Sequence, residues 1–547
     1  MRYQIGSLTI PEKTKTVAQA AFAKGNVYLT MRDELGRIFN DNDFAEMFSH
    51  AGQPAEAPGN LALVLVMQKM EGLSDRQTAD AVRARIDWKY ALGLELEDGG
   101  FEQSVLSRFR QRLIENEGER ELLEKILACL ENKGLVEKES EQRTDATHVL
   151  AVTRELNRLE LVAETMRHAL EAVAQTDGEW VSSWVPATWF QRYGGHVEEY
   201  RLPKSQRGRA RLAQEIGLDG QQLLDAVADE RTPPAIKQLQ AIKAMHLIWV
   251  QQYRSDKGQP HWRDNDDLPP ASERIQNPHD IEARYSEKRG EGWIGFKVHI
   301  TETCAEALPR IITQVLTTPA TLPDVKTTTV IQDKLVAHGF RPKEHYVDAG
   351  YVEAAVLRAS QAHHIDLIGP PLSNNSWQAR VAQGYALSDF LIDWQAETVR
   401  CPKGQHSISW WQTQDREKRP VIDVRFRRED CLPCTARHHC TRAMGKYGRG
   451  LKLYPQETFQ ALAAARQRQQ DEAFWEKYKR RAGIEGTISQ GVRCLQLRRS
   501  RVIGLAKTHL QHILVAAAMN ISRAVAWLRG DKLAATRQSH FLALAPA

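Results

Sequence analysis

The sequence has no long apolar run. Its best candidates, Leu61–Met70 (LALVLVMQKM) and Leu514–Met519 (LVAAAM), fall well short of the roughly 20 residues that cross a bilayer as a helix. A helical membrane protein is therefore excluded. The opening MRYQIGSLTIPEK lacks the apolar core of a signal peptide, so an intracellular, cytoplasmic protein is expected. Cysteine is scarce, at 7 in 547 residues, which argues against a disulfide scaffold. No internal repeat or low-complexity tract is visible. Charge of one sign is lacking overall, with 74 Lys and Arg against 69 Asp and Glu. What is present is length enough for several domains and an uneven placement of charge. Arg400–Lys452 carries 13 Lys or Arg against five Asp or Glu. Lys479–Lys507 carries eight basic residues, and Glu485 is its only acid. Such density suits a polyanion, nucleic acid first.

Residues 1 to about 140 read as helical. Ser74 and Gln77, after the apolar Leu73, stand in capping-box register. Ala79, Val82 and Ile86 then form a helical stripe, and Val105, Leu106, Phe109 and Leu113 form another. A helical bundle accounts for most of this region. A DNA-binding module with Arg108, Arg110 and Arg112 on phosphates is the sharper reading. Arg143–Thr153 reads as a strand. A long amphipathic helix follows, on Leu156, Leu159, Val162, Met166, Leu170 and Val173, with more helix to about Tyr253. The polar, proline-bearing tract 254–280 reads as a loop or linker. Two strands (WIGFKVHITETC and RIITQVLTTP), a helix ending at Gly339, a strand leading to Asp348, a helix and the strand IDLIGPP complete an interrupted α/β core. Residues 373–455 read as short strands and turns, and 456–527 as a closing helical block.

Three acids lie on separate elements: Asp145 beside a strand, Asp348 at a strand end and Glu485 near a helix start. Phosphodiester chemistry uses hard divalent cations, which prefer carboxylates and water. Carboxylates at adjacent strand ends, with one more from a helix, would build that cage. Glu485 would then hold a cation while the arginines grip the flanking phosphates. Any single acid chosen blind is more often a cap or a surface charge.

TDATHVLA, ARYSEKRGEGWIGFKVHITETC, HYVDAGY and AGIEGTISQGVRCLQLRRSRVIGLAKTHLQH resemble the bacterial insertion-sequence transposases with a DDE catalytic triad. GLSDRQTADAVRARIDWKYALGL and FEQSVLSRFRQRL resemble the InsH-type N-terminal domain of that group. The likeness runs through nearly the whole chain in order. It implies an α/β, RNase H-like catalytic core with a helical N-terminal domain, a long helical insertion and a Cys-rich insertion. It also implies Mg²⁺ or Mn²⁺ held by Asp145, Asp348 and Glu485. DNA would be the partner, as element ends and target. Synapsis of two ends suggests a homodimer, associated with the nucleoid when bound. Tyr478, Arg481 and Glu485 keep the register of a Tyr-Arg-Glu-Lys signature, but Val492 stands at its Lys position with Arg493 beside it. Arg493, Arg498 or Lys507 would supply the missing cation, and Arg499 and Arg501 adjoin the same site.

The expected divisions are 1–140 (helical, DNA-binding), 141–372 (first part of the core, insertion about 154–265), 373–455 (basic, Cys-rich), 456–530 (helical, with Glu485) and a tail, 531–547. Cys401, Cys431, Cys434 and Cys440 offer four thiolates for a structural Zn²⁺ site, with His438 and His439 as alternative ligands. Cys129, Cys304 and Cys494 read as packing residues. Trp180, Trp184 and Trp189 read as core more readily than as a base-stacking platform, and His148 and His299 as structural groups. Two functional alternatives stay open: a catalytically silent DNA-binding descendant, and a metal-dependent nuclease without strand transfer.

Overall fold

A computed structural model describes residues 2–3, 6, 9–49, 54–199, 202–288, 290–381, 383–443, 448–531 and 544. The architecture is mixed α/β. The chain forms two compact units, one of Met1–Glu137, Asp145–Leu322 and Glu485–Ala547, the other of Lys138–Thr144 and Pro323–Ile484. Among the described residues, no helix is long and apolar enough to cross a membrane.

In the first unit, helix Pro58–Glu71 buries Leu61 to Met67 without a break. An apolar sequence on all sides demands such burial. It packs against helix Leu505–Leu528, which also lies on strand Ile312–Pro319. Asn520 fixes that contact by accepting from the Ile312 N–H and donating to its carbonyl, both at 2.8 Å. Thr317 and His512 add a buried hydrogen bond of 2.7 Å. The expected capping box opens helix Asp75–Ala84, with the Ser74 N–H donating to Gln77 Oε1 at 2.9 Å. Ala79 and Val82 are buried, whereas Ile86 begins the next helix, Ile86–Leu92. Helix Ser104–Glu115 buries Leu106, Phe109 and Leu113 as its periodicity predicts.

Strand Glu291–Thr303 is antiparallel to Arg284–Lys288 and to Ile312–Pro319. Strand Glu141–Leu150 neighbours it as well. Gly295 makes that approach feasible. Its φ is 152°, and a Cβ there would stand 2.1 Å from the Val149 carbonyl oxygen. The strand Arg284–Lys288 was not foreseen.

The region expected as a helical insertion is built on Arg158–Thr176, Gln206–Ala228 and Gln240–Gln252. Leu159, Val162, Met166 and Val173 are buried on the first of these; Leu156 is buried just before it starts. Gly220 and Gly217 are where aromatic rings seat. A Cβ at Gly220 would meet Trp249 Cζ2 at 1.9 Å, and one at Gly217 would meet Tyr253 Cε1 at 2.4 Å. Trp180, Trp184 and Trp189 form an edge-to-face chain, with centroids 5.4 and 5.8 Å apart, so they pack the core as expected. The tract read as a loop starts with a hairpin, Tyr253–Asp256 against Gln259–Trp262. Lys257 and Gly258 make its turn, at φ 50° and 83°, in the left-handed conformation that two-residue hairpins favour.

In the second unit, Glu141–Arg143 pair parallel to strand Glu344–Tyr346, which pairs parallel to Asp366–Ile368. His345 is buried between the Thr144 hydroxyl at 2.6 Å and the Gln332 amide at 3.2 Å. Burial pushes its pKa down to about 3, so the ring is neutral. Beyond these strands lies a three-stranded antiparallel sheet, Ser407–Gln414, Pro420–Phe426 and Gly450–Leu453. Short helices accompany it, such as Arg428–Cys431 and Arg437–Cys440, and Phe459 of helix Gln456–Arg468 packs against its core.

The closing helical block is interrupted. Helix Ile484–Leu495 ends before Gln496, whose φ is 54°. The chain then runs along the end of strand Glu141–Leu150. The Leu150 N–H donates to the Arg498 carbonyl at 2.8 Å, and the Ser500 N–H to that of Leu150 at 2.9 Å. Arg498, Arg499 and Arg501 are therefore not on a helix.

Candidate active site

In the first unit an open cavity of about 890 Å³ is lined by Asp145, His148, Lys288, Trp293, Glu485 and Arg498, among others. The strand Glu141–Leu150 delivers Asp145, nearly buried at 9 % exposure, and its Oδ1 accepts from the Ala146 N–H at 2.8 Å. The first turn of helix Ile484–Leu495 delivers Glu485, which is exposed. Two acids that are 340 positions apart by their numbers thus face one space.

The rim is basic. Arg493 stands two turns along the helix from Glu485, and Val492, at the signature's Lys position, lines the same cavity. Arg498 is held in place by its Nε, which donates to Thr147 Oγ1 at 2.7 Å. Lys288, Glu291 and Trp293 come from the turn-linked strands Arg284–Lys288 and Glu291–Thr303, and sequence reasoning missed them in this role. His148 packs on Trp293 with ring centroids 5.5 Å apart. Burial, then the Arg498 charge, lowers its pKa, so it faces the cavity neutral. His299 is different: it is buried and bonded to Thr318 at 3.3 Å, away from the cavity lining.

The remaining expected residues are dispersed. Arg501 and Lys507 line a separate cavity of about 490 Å³ with Lys69 and Arg110. Burial, then Arg501, lowers Lys69 to about 8. Arg499 bridges to Leu150 through its backbone. Of the N-terminal arginines, Arg110 is paired with Asp75 at 2.5 Å and Arg112 lies over the Phe48 ring at 4.2 Å.

In the second unit, Asp348 follows strand Glu344–Tyr346 and caps a short turn, accepting from the Gly350 N–H at 2.8 Å. Arg481 approaches its carboxylate at 3.9 Å. Tyr478 stacks on Phe474, with centroids 5.9 Å apart. Arg480 pairs with Glu141, and Lys477 with Glu344. Cys401, Cys431, Cys434 and Cys440 line one small cavity. Cys304 is buried and Cys129 half-buried, as expected of packing residues, but Cys494 is exposed because it lies on the outer side of its helix. Among the described residues, no group of three or more His, Cys, Asp or Glu is arranged to hold a metal. Asp145 and Glu485 both line the larger cavity, and carboxylate oxygens are the hard donors that divalent cations of the magnesium class take.

Two stretches of the chain match known protein families. Residues 400–525 match the family described as Transposase DDE domain. Residues 19–112 match the family described as Transposase domain (DUF772). The first match includes Glu485 and the four clustered cysteines; neither includes Asp145 or Asp348. No curated protein and no solved structure matches the chain.

Proposed function

We propose that the chain is an insertion-sequence DDE transposase, as its two matches to transposase domain families indicate, and that it binds the terminal inverted repeats of its element and catalyses metal-dependent cleavage and strand transfer of DNA. The observation that carries this reading is the cavity shared by Asp145 and Glu485 beneath a rim of Lys288, Arg493 and Arg498. The two carboxylates would hold Mg²⁺ or Mn²⁺, which activates the attacking oxygen and stabilises the leaving one. The rim cations would grip phosphates flanking the scissile bond. Trp293 and His148 give the cavity a flat, uncharged wall. Glu485 is thus the one acid in its basic segment because a cation, not the DNA, is what it meets.

Asp348 is assigned to the same chemistry. It follows Tyr346 by two positions, and Tyr346 pairs with Arg143 in parallel register. An RNase H-like core is part of this reading, supported by antiparallel pairs on Glu291–Thr303 in the first unit and, in the second unit taken by itself, by parallel pairs on Glu344–Tyr346. Holding two ends together calls for two copies of the chain, so a homodimer on DNA is part of this reading, as is a place in the cytoplasm at the nucleoid.

The test is a plasmid carrying the gene's own flanks, incubated with Mg²⁺ and either wild type or Glu485→Gln. Wild type is expected to cut at the element ends and join them to target DNA. Glu485→Gln should lose at least about 100-fold, the upper end of the roughly 10–100-fold lost when an outer partner of a metal ligand is removed. Cutting without joining would favour a nuclease. End binding without cutting would favour a silent DNA-binding descendant. Equal cutting by both proteins would remove Glu485 from the site.

A further inference from the structure

We propose that Cys401, Cys431, Cys434 and Cys440 form a closed, structural zinc site that staples the strand-rich insertion, independently of the DNA chemistry. All four line a single cavity of about 40 Å³, and none is in a disulfide. The first comes from a tight turn. In Cys401-Pro402-Lys403-Gly404 the Gly404 N–H donates to the Cys401 carbonyl at 2.9 Å, with Gly404 at φ 88°. That turn aims the Gln405 N–H at Cys401 Sγ, 3.3 Å away. Cys431 closes the short helix Arg428–Cys431, and its Sγ lies 3.5 Å from the Arg449 N–H. Backbone N–H groups directed at sulphur are the outer partners that orient a ligating thiolate. Cys434 follows in a C-x-x-C step, and Cys440 closes the short helix Arg437–Cys440.

Charge agrees with this assignment. Four thiolates around a divalent ion leave a net charge of about −2, and Arg437 and Arg449 line the same cavity. Both are tied to the cysteine backbone, Arg437 to the Cys431 carbonyl at 3.3 Å and Arg449 to that of Cys440 at 2.8 Å. Soft sulphur donors in a set of four select zinc or an iron–sulphur centre over the hard cations that suit Asp145 and Glu485. No three ligands among the described residues already stand grouped as around a bound ion, so binding draws the thiolates inward, with one proton released from each thiol. Cys401, Cys431 and Cys440 also pack against the insertion's apolar core. The ion would therefore join the Cys401 turn and both short helices to the sheet.

The experiment uses the full chain purified under reducing conditions. Elemental analysis should find one zinc per chain. Removing it with a chelator should expose four additional thiols to a thiol reagent. Cobalt(II) added to the stripped protein should give the charge-transfer absorption of a tetrahedral four-thiolate site. Cys401→Ser and Cys434→Ser should each weaken zinc binding at least about 100-fold, and Cys494→Ser, an exposed position, should bind as wild type does. Four freely reactive thiols in a metal-free native protein would overturn the proposal, as would two disulfides, iron–sulphur absorption or a cobalt spectrum showing imidazole. Where a cysteine variant does not fold, the wild-type zinc count and thiol count still decide.

Discussion

The two regions expected as insertions, one helical and one strand-rich, stabilise themselves with very different amounts of apolar surface. The core around the helical insertion gathers 22 buried residues among those described, including Met166, Trp189, Trp249 and Tyr253. The core of the strand-rich insertion gathers seven, Phe390, Val399, Ile422, Val424, Phe426, Leu451 and Leu453. Its sheet has three strands, and the strand Ser407–Gln414 leaves Ile408 and Trp411 exposed. It also carries the 13 basic side chains of Arg400–Lys452, which repel one another. A core of that size contributes little beyond the entropy it must offset. The helical insertion needs no staple, and it contains no cysteine. In the strand-rich one, four thiols gather beside the small core.

The largest way to break this contrast is to remove the ion. Structural zinc sites have apparent binding free energies of roughly 10–16 kcal/mol near neutral pH, and that energy is folding energy. Chelation should therefore strip hydrogen-exchange protection from Ser407–Gln414, Pro420–Phe426 and Gly450–Leu453. Arg158–Thr176 and Gln206–Ala228 should keep theirs. Equal loss in both insertions, or loss in neither, would end the comparison. A smaller effect approaches it from the other side. Trp189 is 2 % exposed and meets Trp184 and Tyr193 edge to face. Trp189→Ala should cost about 3–5 kcal/mol in urea denaturation and leave the zinc content at one per chain.

How far the sequence carried these features depends on the distance over which each is encoded. Leu106, Phe109 and Leu113, or Ser74 with Gln77, are set by neighbours three or four positions away, and they were legible. Asp145 and Glu485 were singled out as acids on different elements, and the structure brings them to one cavity. Lys288, Glu291 and Trp293 carried no local signal. They reach that cavity only because Arg284–Lys288 folds back on Glu291–Gly295. Arg501 and Lys507 look from sequence like neighbours of Glu485, but they line another cavity, because the chain leaves its helix after Leu495 and runs along Leu150. The break rests on tertiary hydrogen bonds at Arg498 and Ser500, with no proline to announce it. Cys494 was read as packing from residue type alone, and residue type does not say which side of a helix faces out.

Acid should separate the two insertions by mechanism, with the smallest effect of all. Within the helical insertion, Glu164 accepts from His279 at 2.9 Å and from Arg167 at 2.7 and 2.9 Å. Burial alone would raise its pKa, but the hydrogen bonds from His279 and Arg167 outweigh burial and hold it at about 2. The folded value lies below the unfolded one, so the stabilisation is full above about pH 4.3 and is lost as pH falls toward 2. His168, whose ring centroid is 4.2 Å from that of His279, is lowered by burial and then by His279. Its neutral form is favoured by folding, so it also loses stability on acidification. Tryptophan fluorescence of Trp180, Trp184 and Trp189 should therefore report a loss of about 1–3 kcal/mol that begins near pH 6.5 with His168 and continues through Glu164 to roughly pH 2. Glu164→Gln should flatten the lower part of that slope, and a slope left unchanged would move the acid sensitivity to His168. The strand-rich insertion should respond through its thiolates, since protons compete with zinc for the same sulphurs. Its transition should follow zinc release and ignore Glu164→Gln.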